Sequence, residues 1–155
     1  MTDDNSLQEE LTERIIACAI TVHDALGPGL LESIYQRCLV LELRAHTMQV
    51  ETQKSVPVVY RGIVVDSPFK LDLVVEGLVV VEVKAIQSYA PVHQAQLISY
   101  LKLSGCPVGL LMNFNVTLLK HGIRRVVHPD LYKKTPVCPL SPAQDGDAAR
   151  GGMPV

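Results

Sequence analysis

The spacing of apolar residues changes along the chain, and each change marks a predicted element. Leu7, Leu11, Ile15, Val22 and Leu26 recur at roughly helical spacing. Ser6 and Glu9 open that series as an S-x-x-E capping box, and Gly27-Pro28-Gly29 stops it. A second helix follows at once, with Leu31, Ile34, Tyr35, Cys38 and Leu39 as its apolar stripe, fading near His46. From Met48 to Ala85 the period falls to two. Val50 to Tyr60 reads as a first strand, with Pro57 indicating an edge or a bulge, and Arg61-Gly62 as a turn. Ile63 to Val75 reads as a longer strand interrupted at Ser67-Pro68, Glu76-Gly77 as the next turn, and Leu78 to Lys84 as the third strand. Helical spacing returns over Pro91 to Ser104 and closes at Gly105, which suits a left-handed cap. The unbroken apolar run Val108 to Phe114 is expected of a strand buried on both faces, and Arg124 to His128 of one further short strand. The order ααβββαβ predicts an α/β domain with a mixed sheet, occupying residues 1–134. Residues 135–155, rich in Pro, Gly and Ala, are expected to form a disordered tail.

Within the apolar strands, Asp72, Glu82 and Lys84 stand out. An unpaired charge near a sheet interior costs several kcal/mol, so such groups are paired, bound to a metal or placed at a cleft. Alternation puts Glu82 and Lys84 on one face of their strand, opposite Val79, Val81 and Val83. On the preceding strand Lys70 and Asp72 share one face, and Leu71, Leu73 and Val75 the other. A two-residue loop at Glu76-Gly77 would pair Asp72 with Val81 and separate the carboxylates. A three-residue loop, or one bulge, unites the apolar residues on one face and Asp72, Glu82 and Lys84 on the other. Such a trio suits metal-assisted phosphodiester hydrolysis. Asp72, Glu82 and the Val83 carbonyl would offer hard oxygen ligands to Mg²⁺ or Mn²⁺, and Lys84 would hold the attacking water or stabilise transition-state charge. The competing reading is a structural salt bridge between Lys84 and a carboxylate.

Two further features bear on that choice. Glu32 opens the second helix, where the helix dipole by itself favours an acid. His93, Gln96 and Tyr100 share one stripe of the third helix and suggest a cleft lining. Solvated surface for the histidine and a buried hydrogen-bonded phenol for the tyrosine are the structural alternatives.

Composition narrows the classes. The 155 residues are 48% apolar and 19% charged, which excludes a disordered or fibrous chain. No apolar stretch approaches ~18 residues, so no membrane partner is expected. The acidic start lacks the order of a secretory signal, so a cytoplasmic location is expected. Trp is absent and aromatics make up 5%, which weighs against a base-stacking platform. Cys18, Cys38, Cys106 and Cys138 form no C-x-x-C pair, and the first two read as core thiols. The five histidines are too scattered for a metal cluster. The net charge of −2 hides a division: the first thirteen residues carry −5, the tail −1 and the body between them +4. A body of that charge leaves nucleic-acid binding open.

Gly29-x-x-Glu32-x-x-Tyr35, a strand Asp72, Val81-Glu82-Val83-Lys84, Gln96 with Tyr100-Leu101-Lys102, and Val108-Gly109-Leu110-Leu111 with Asn113-Phe114 occur here in order. That set resembles the GxxExxY protein family of the PD-(D/E)XK nuclease superfamily, over about Leu11 to His128. The resemblance implies a restriction-endonuclease-like core, a mixed β-sheet flanked by helices. It implies Asp72 as the metal-binding aspartate, Glu82 and Lys84 as the E-x-K pair, Glu32 as the acid of the leading helix, and Gln96 as the polar residue of the helix that follows. The superfamily's Pro-Asp dipeptide reads Leu71-Asp72 here.

The leading expectation is therefore a Mg²⁺-dependent nuclease with DNA as substrate. Catalytic roles fall to Lys84, Glu32 and Gln96, metal binding to Asp72, Glu82 and Val83, and substrate contact to His93 and Tyr100. No helix-turn-helix, Cys/His finger or long basic run is visible, so a homodimer or a partner protein would supply recognition. Arg124-Arg125 and Lys133-Lys134 would contact phosphates or simply be solvated. The alternative is a non-catalytic nucleic-acid-binding or regulatory module that keeps the fold. A nucleotide phosphohydrolase is a third reading, weakened by the lack of a glycine-rich phosphate loop.

Overall fold

The computed structural model describes residues 4–66 and 69–133. Its first two elements are the helices α1 (Asp4–Leu26) and α2 (Glu32–Ala45). Because α1 starts ahead of Ser6, the expected capping box does not form. Ser6 is exposed inside the first turn, and the Glu9 carboxylate instead accepts from Arg125 Nη2 at 2.6 Å. The buried stripe of α1 is Leu11, Ile15, Cys18, Ala19 and Val22, whereas Leu7 and Leu26 face water. In α2 burial follows the row Tyr35, Leu39, Leu43, with Val40 beside it. Leu31 lies outside the helix as its N-cap and is 72% exposed, and Ile34 is also exposed, so the predicted stripe was turned by about one residue.

The link between these helices is closed by one side chain. Gly27 and Gly29 take positive φ (68° and 104°), which lets the chain reverse sharply. The Tyr35 hydroxyl donates to the Gly27 carbonyl at 2.5 Å and accepts from the Leu30 amide at 3.1 Å. Its ring stacks on Phe114, with centroids 4.6 Å apart and planes 18° from parallel. Tyr35 therefore fixes where α2 begins, and with it the position of Glu32.

The strand expected over Val50 to Tyr60 divides. Strand β1 (Val50–Ser55) joins the main sheet, Val56 is buried, and Pro57 ends the pairing. Strands β2 (Val58–Tyr60) and β3 (Ile63–Val65) form a separate hairpin, turned by Arg61 and Gly62 at φ 52° and 78°. Then come β4 (Lys70–Val75), β5 (Val79–Lys84), α3 (Pro91–Ser104), β6 (Val108–Asn113), β7 (Ile123–Val127) and the short α4 (Pro129–Lys133). A single 3₁₀ turn at Leu119–His121 and α4 were not anticipated. The expected interruption at Ser67-Pro68 and the expected tail from residue 135 lie outside the described residues.

The five-stranded sheet runs β1-β4-β5-β6-β7, and β5–β6 is its parallel pair, with α3 as the crossover. Leu73, Val75, Val79, Val81, Val108 and Leu110 face α1 and α2. Val74, Val80 and Leu111 face Leu97, Tyr100 and Leu101 of α3. All of β6 is buried, as its unbroken apolar run predicts. Gly109 is required there: a Cβ at that position would come within 2.9 Å of Leu97, so glycine lets α3 lie close on the sheet. No helix among the described residues is long and apolar enough to cross a membrane.

Tyr35→Phe keeps the ring on Phe114 but strips the Gly27 carbonyl and Leu30 amide of their shared partner. A loss of about 1–3 kcal/mol in urea unfolding is expected. An unchanged midpoint would show that the loop is closed by other contacts.

Candidate active site

The β4–β5 ladder pairs Val75 with Val79, Val74 with Val80 and Leu73 with Val81. Three residues, Glu76-Gly77-Leu78, join the strands, so the connection is odd in length, as the apolar pattern requires. Positive φ at Glu76 (53°) and Gly77 (65°) makes the reversal tight. One step past Leu73, side chains replace the ladder. The Asp72 amide donates to Glu82 Oε1 at 3.2 Å, and the Val83 amide donates to Asp72 Oδ2 at 2.9 Å. The two carboxyl groups thus meet in the gap where the strands part.

The other neighbour of β4 is also disturbed at this point. Lys54 pairs with Leu71 and Thr52 with Leu73, but Gln53 between them sits at φ 48°. Strict alternation consequently fails at Asp72. Leu71, expected on the face of Leu73 and Val75, packs instead with Val74 and Val80 toward α3. The Val83 amide points into the gap, and in an extended strand the carbonyl of the same residue points the same way. The Lys84 carbonyl points the opposite way and accepts from the Phe114 amide at 2.8 Å.

Burial comes first in the protonation of both members of this pair, and their interaction places the proton on Glu82. Glu82 is 5% exposed, and burial, followed by the Asp72 charge, pushes its carboxyl up to about 8. Asp72 is also raised, first by burial; the Val83 amide and the Lys84 ammonium pull it back, while Glu32 pushes it further up. Lys84 is half-buried at the end of β5, and no ion pair joins it to either carboxylate among the described residues. The salt-bridge reading of the trio therefore lacks its bond. The chain presents one buried and one half-buried carboxylate and a carbonyl in one gap with a cation nearby.

Other predicted residues assemble around the gap to different degrees. Glu32 Oε1 accepts from the Ala85 amide at 3.1 Å, tying α2 to the end of β5. Glu32 and Asp72 line one open groove of about 630 Å³, together with Ser33, Gln36, Gln53 and Ala85. Tyr100 is buried on α3, and burial together with the Glu82 and Asp72 charges raises its phenol, which places it beside the pair. Gln96 is half-buried one turn earlier and makes no hydrogen bond among the described residues. His93 is engaged elsewhere: its Nδ1 accepts from the Ala90 amide at 2.9 Å, and its ring meets Tyr89 edge-on. No hydrogen bond or ion pair links it to the carboxylates. Arg124 lies over the Tyr89 ring at 4.6 Å and Arg125 pairs with Glu9, so neither is simply solvated.

Asn113 was not singled out for a role, and it locks the chain that follows Lys84. Its Oδ1 accepts from the amides of Ile86 and Asn115 at 3.1 Å, and its Nδ2 donates to the Ile86 carbonyl at 2.9 Å. The signal was present as one polar residue in an otherwise apolar strand.

A model of the PD-(D/E)XK nuclease superfamily matches residues 9–126, and the chain belongs to that superfamily. No curated protein and no solved structure matches it. Members of the superfamily are typically metal-dependent. Among the described residues no three His, Cys, Asp or Glu side chains cluster as a cation cage. The donor set nonetheless suits Mg²⁺, which is held by one or two carboxylates and otherwise by water and substrate phosphate.

A carboxyl raised on folding contributes stability at low pH that is lost as pH rises through its folded value. Metal-free protein should therefore lose stability between about pH 4.5 and 8, the span from Glu82's ordinary value to its raised one. Glu82→Gln should flatten that slope in denaturant titrations across pH. An equal slope in both proteins would show that Glu82 does not carry the proton.

Proposed function

We propose that this chain is a GxxExxY-type nuclease that hydrolyses phosphodiester bonds of nucleic acid, DNA first, with Mg²⁺ or Mn²⁺ held by Asp72, Glu82 and the Val83 carbonyl. The observation that carries the reading is the substitution of two carboxylates for ladder hydrogen bonds between β4 and β5. Without a cation the pair is held by a proton retained on Glu82, whereas a divalent ion would let both carboxylates ionise side by side. When bound, such an ion would acidify water and offset charge on the phosphate.

The chain's own groups would do the rest. Lys84, two residues beyond Glu82 on β5, has three donors to hold the attacking water or a phosphate oxygen as charge builds. Glu32 fixes the groove wall through the Ala85 amide and presents a carboxylate to the same opening. The Tyr100 hydroxyl and Gln96 amide supply neutral donors for the substrate backbone, and His93 has only Nε2 left for such a contact.

Purified protein with Mg²⁺ or Mn²⁺ should nick or degrade DNA. Lys84→Ala should lower the rate about 10²–10³-fold, by analogy with removing one charge-stabilising donor, and leave the circular dichroism spectrum unchanged. Equal background from both proteins on single-stranded, double-stranded and branched DNA and on RNA would overturn the reading.

A further inference from the structure

A second chamber adjoins the carboxylate groove. Ser33, Gln36 and Gln53 line both, so the two share a wall and open beside each other. The second chamber measures about 540 Å³ and lies between α2 and β1. Ser33, Gln36, Arg37, Val40 and Leu41 fall at i, i+3, i+4, i+7 and i+8, which puts them on one face of α2. The buried Val40 and Leu73 and the exposed Leu41 form its apolar part. In the shared wall, Gln53 Nε2 donates to Gln36 Oε1 at 3.0 Å. Gln53 does so from a left-handed backbone conformation (φ 48°), next to the Thr52–Leu73 pair. Glycine would take that conformation without strain. Strained positions of this kind cluster at active sites and ligand clamps, held there by their surroundings.

We propose that this chamber takes one nucleobase of a strand lying in the carboxylate groove, turned out of its stack, with the Gln36 and Gln53 amides reading its edge. The substrate class that follows is single-stranded or locally unpaired DNA, and the proposal rests on the reading of that groove as a nucleic-acid site. Size and chemistry select the occupant. Sites for small organic groups span about 300–1,000 Å³, so the chamber has room for a ring system and not for a duplex. A base has apolar faces and an edge of mixed donors and acceptors. Val40, Leu41 and Leu73 suit the faces, and a carboxamide, which both donates and accepts, suits the edge. Phosphates would call for several cations, whereas Arg37 is the one charged side chain among the described residues of the lining. A base inside a duplex reaches a side chamber only by leaving its stack, and that cost is least where the base is already unpaired.

Fluorescence anisotropy in EDTA should show the wild type binding oligothymidylate about tenfold more tightly than an abasic strand of equal length, the order of one base contact. Gln53→Gly suits the left-handed conformation and should keep the far-UV spectrum, yet lose most of that preference. In the wild type, methyl resonances of Val40, Leu41 and Leu73 should shift with oligothymidylate and stay in place with the abasic strand. That readout tests the chamber even if the variant misfolds. Equal affinity for both strands, an unchanged preference in the variant, or unmoved methyls would each overturn the proposal. So would a fully paired duplex that moves those methyls as far as the single strand does. Neither readout needs catalysis. A protein that passes both and never cuts would lose the hydrolytic reading alone, and one that cuts while binding both strands equally would lose this proposal alone.

Discussion

Two carboxyl groups placed inside a hydrogen-bonded sheet set the terms for the rest of this molecule. Where β4 and β5 part, backbone amides of Asp72 and Val83 turn to the carboxylates of Glu82 and Asp72. Each carboxylate is thereby oriented by an amide it would not otherwise meet, and Asp72 strengthens the hold of Glu82 on a proton. Holding such a pair partly out of water is unfavourable unless protons or a cation compensate. The surrounding elements hold the gap open: the Gly27–Gly29 reversal seats Glu32 on the Ala85 amide, and Asn113 grips the chain beyond Lys84.

Within this frame the three marked positions of Gly29-x-x-Glu32-x-x-Tyr35 have separate physical tasks. Gly29 adopts a backbone angle that L side chains rarely reach. Tyr35 pins the resulting turn through its hydroxyl and anchors it by stacking on Phe114, at the end of β6. Glu32, at the first helical position, spans from α2 to the end of β5. The spacing brings the turn, the acid and the anchor into one corner beside the carboxylate gap. Helix-dipole preference for an acid would not by itself account for that bond.

Most of the fold was legible because its period changes are sharp, and because the odd-length Glu76–Leu78 link followed from apolar alternation alone. What alternation could not reveal was its own failure at Asp72, where Gln53 takes a left-handed angle and Leu71 changes faces. That distortion accompanies the break in the ladder where the carboxylates meet, and it has no periodic signature. The same limit hid the departure of β2 and β3, since exposed and buried β-branched strands share one pattern until a partner sheet is known. Nor could the stripe show that one ring nitrogen of His93 is used to cap the helix it stands on. Leu31 and Ile34 misled because a helical row shifted by one residue fits the same apolar run.

The central claim is that the gap between β4 and β5 is built for a divalent cation. Thermal unfolding with and without millimolar Mg²⁺, in wild type and in Asp72→Asn, tests it most directly. If Mg²⁺ reaches about ten times its dissociation constant, linkage adds about 1.4 kcal/mol to the wild type and raises its melting temperature, with no gain in the variant. No shift in the wild type, or an equal shift in both proteins, would contradict the account.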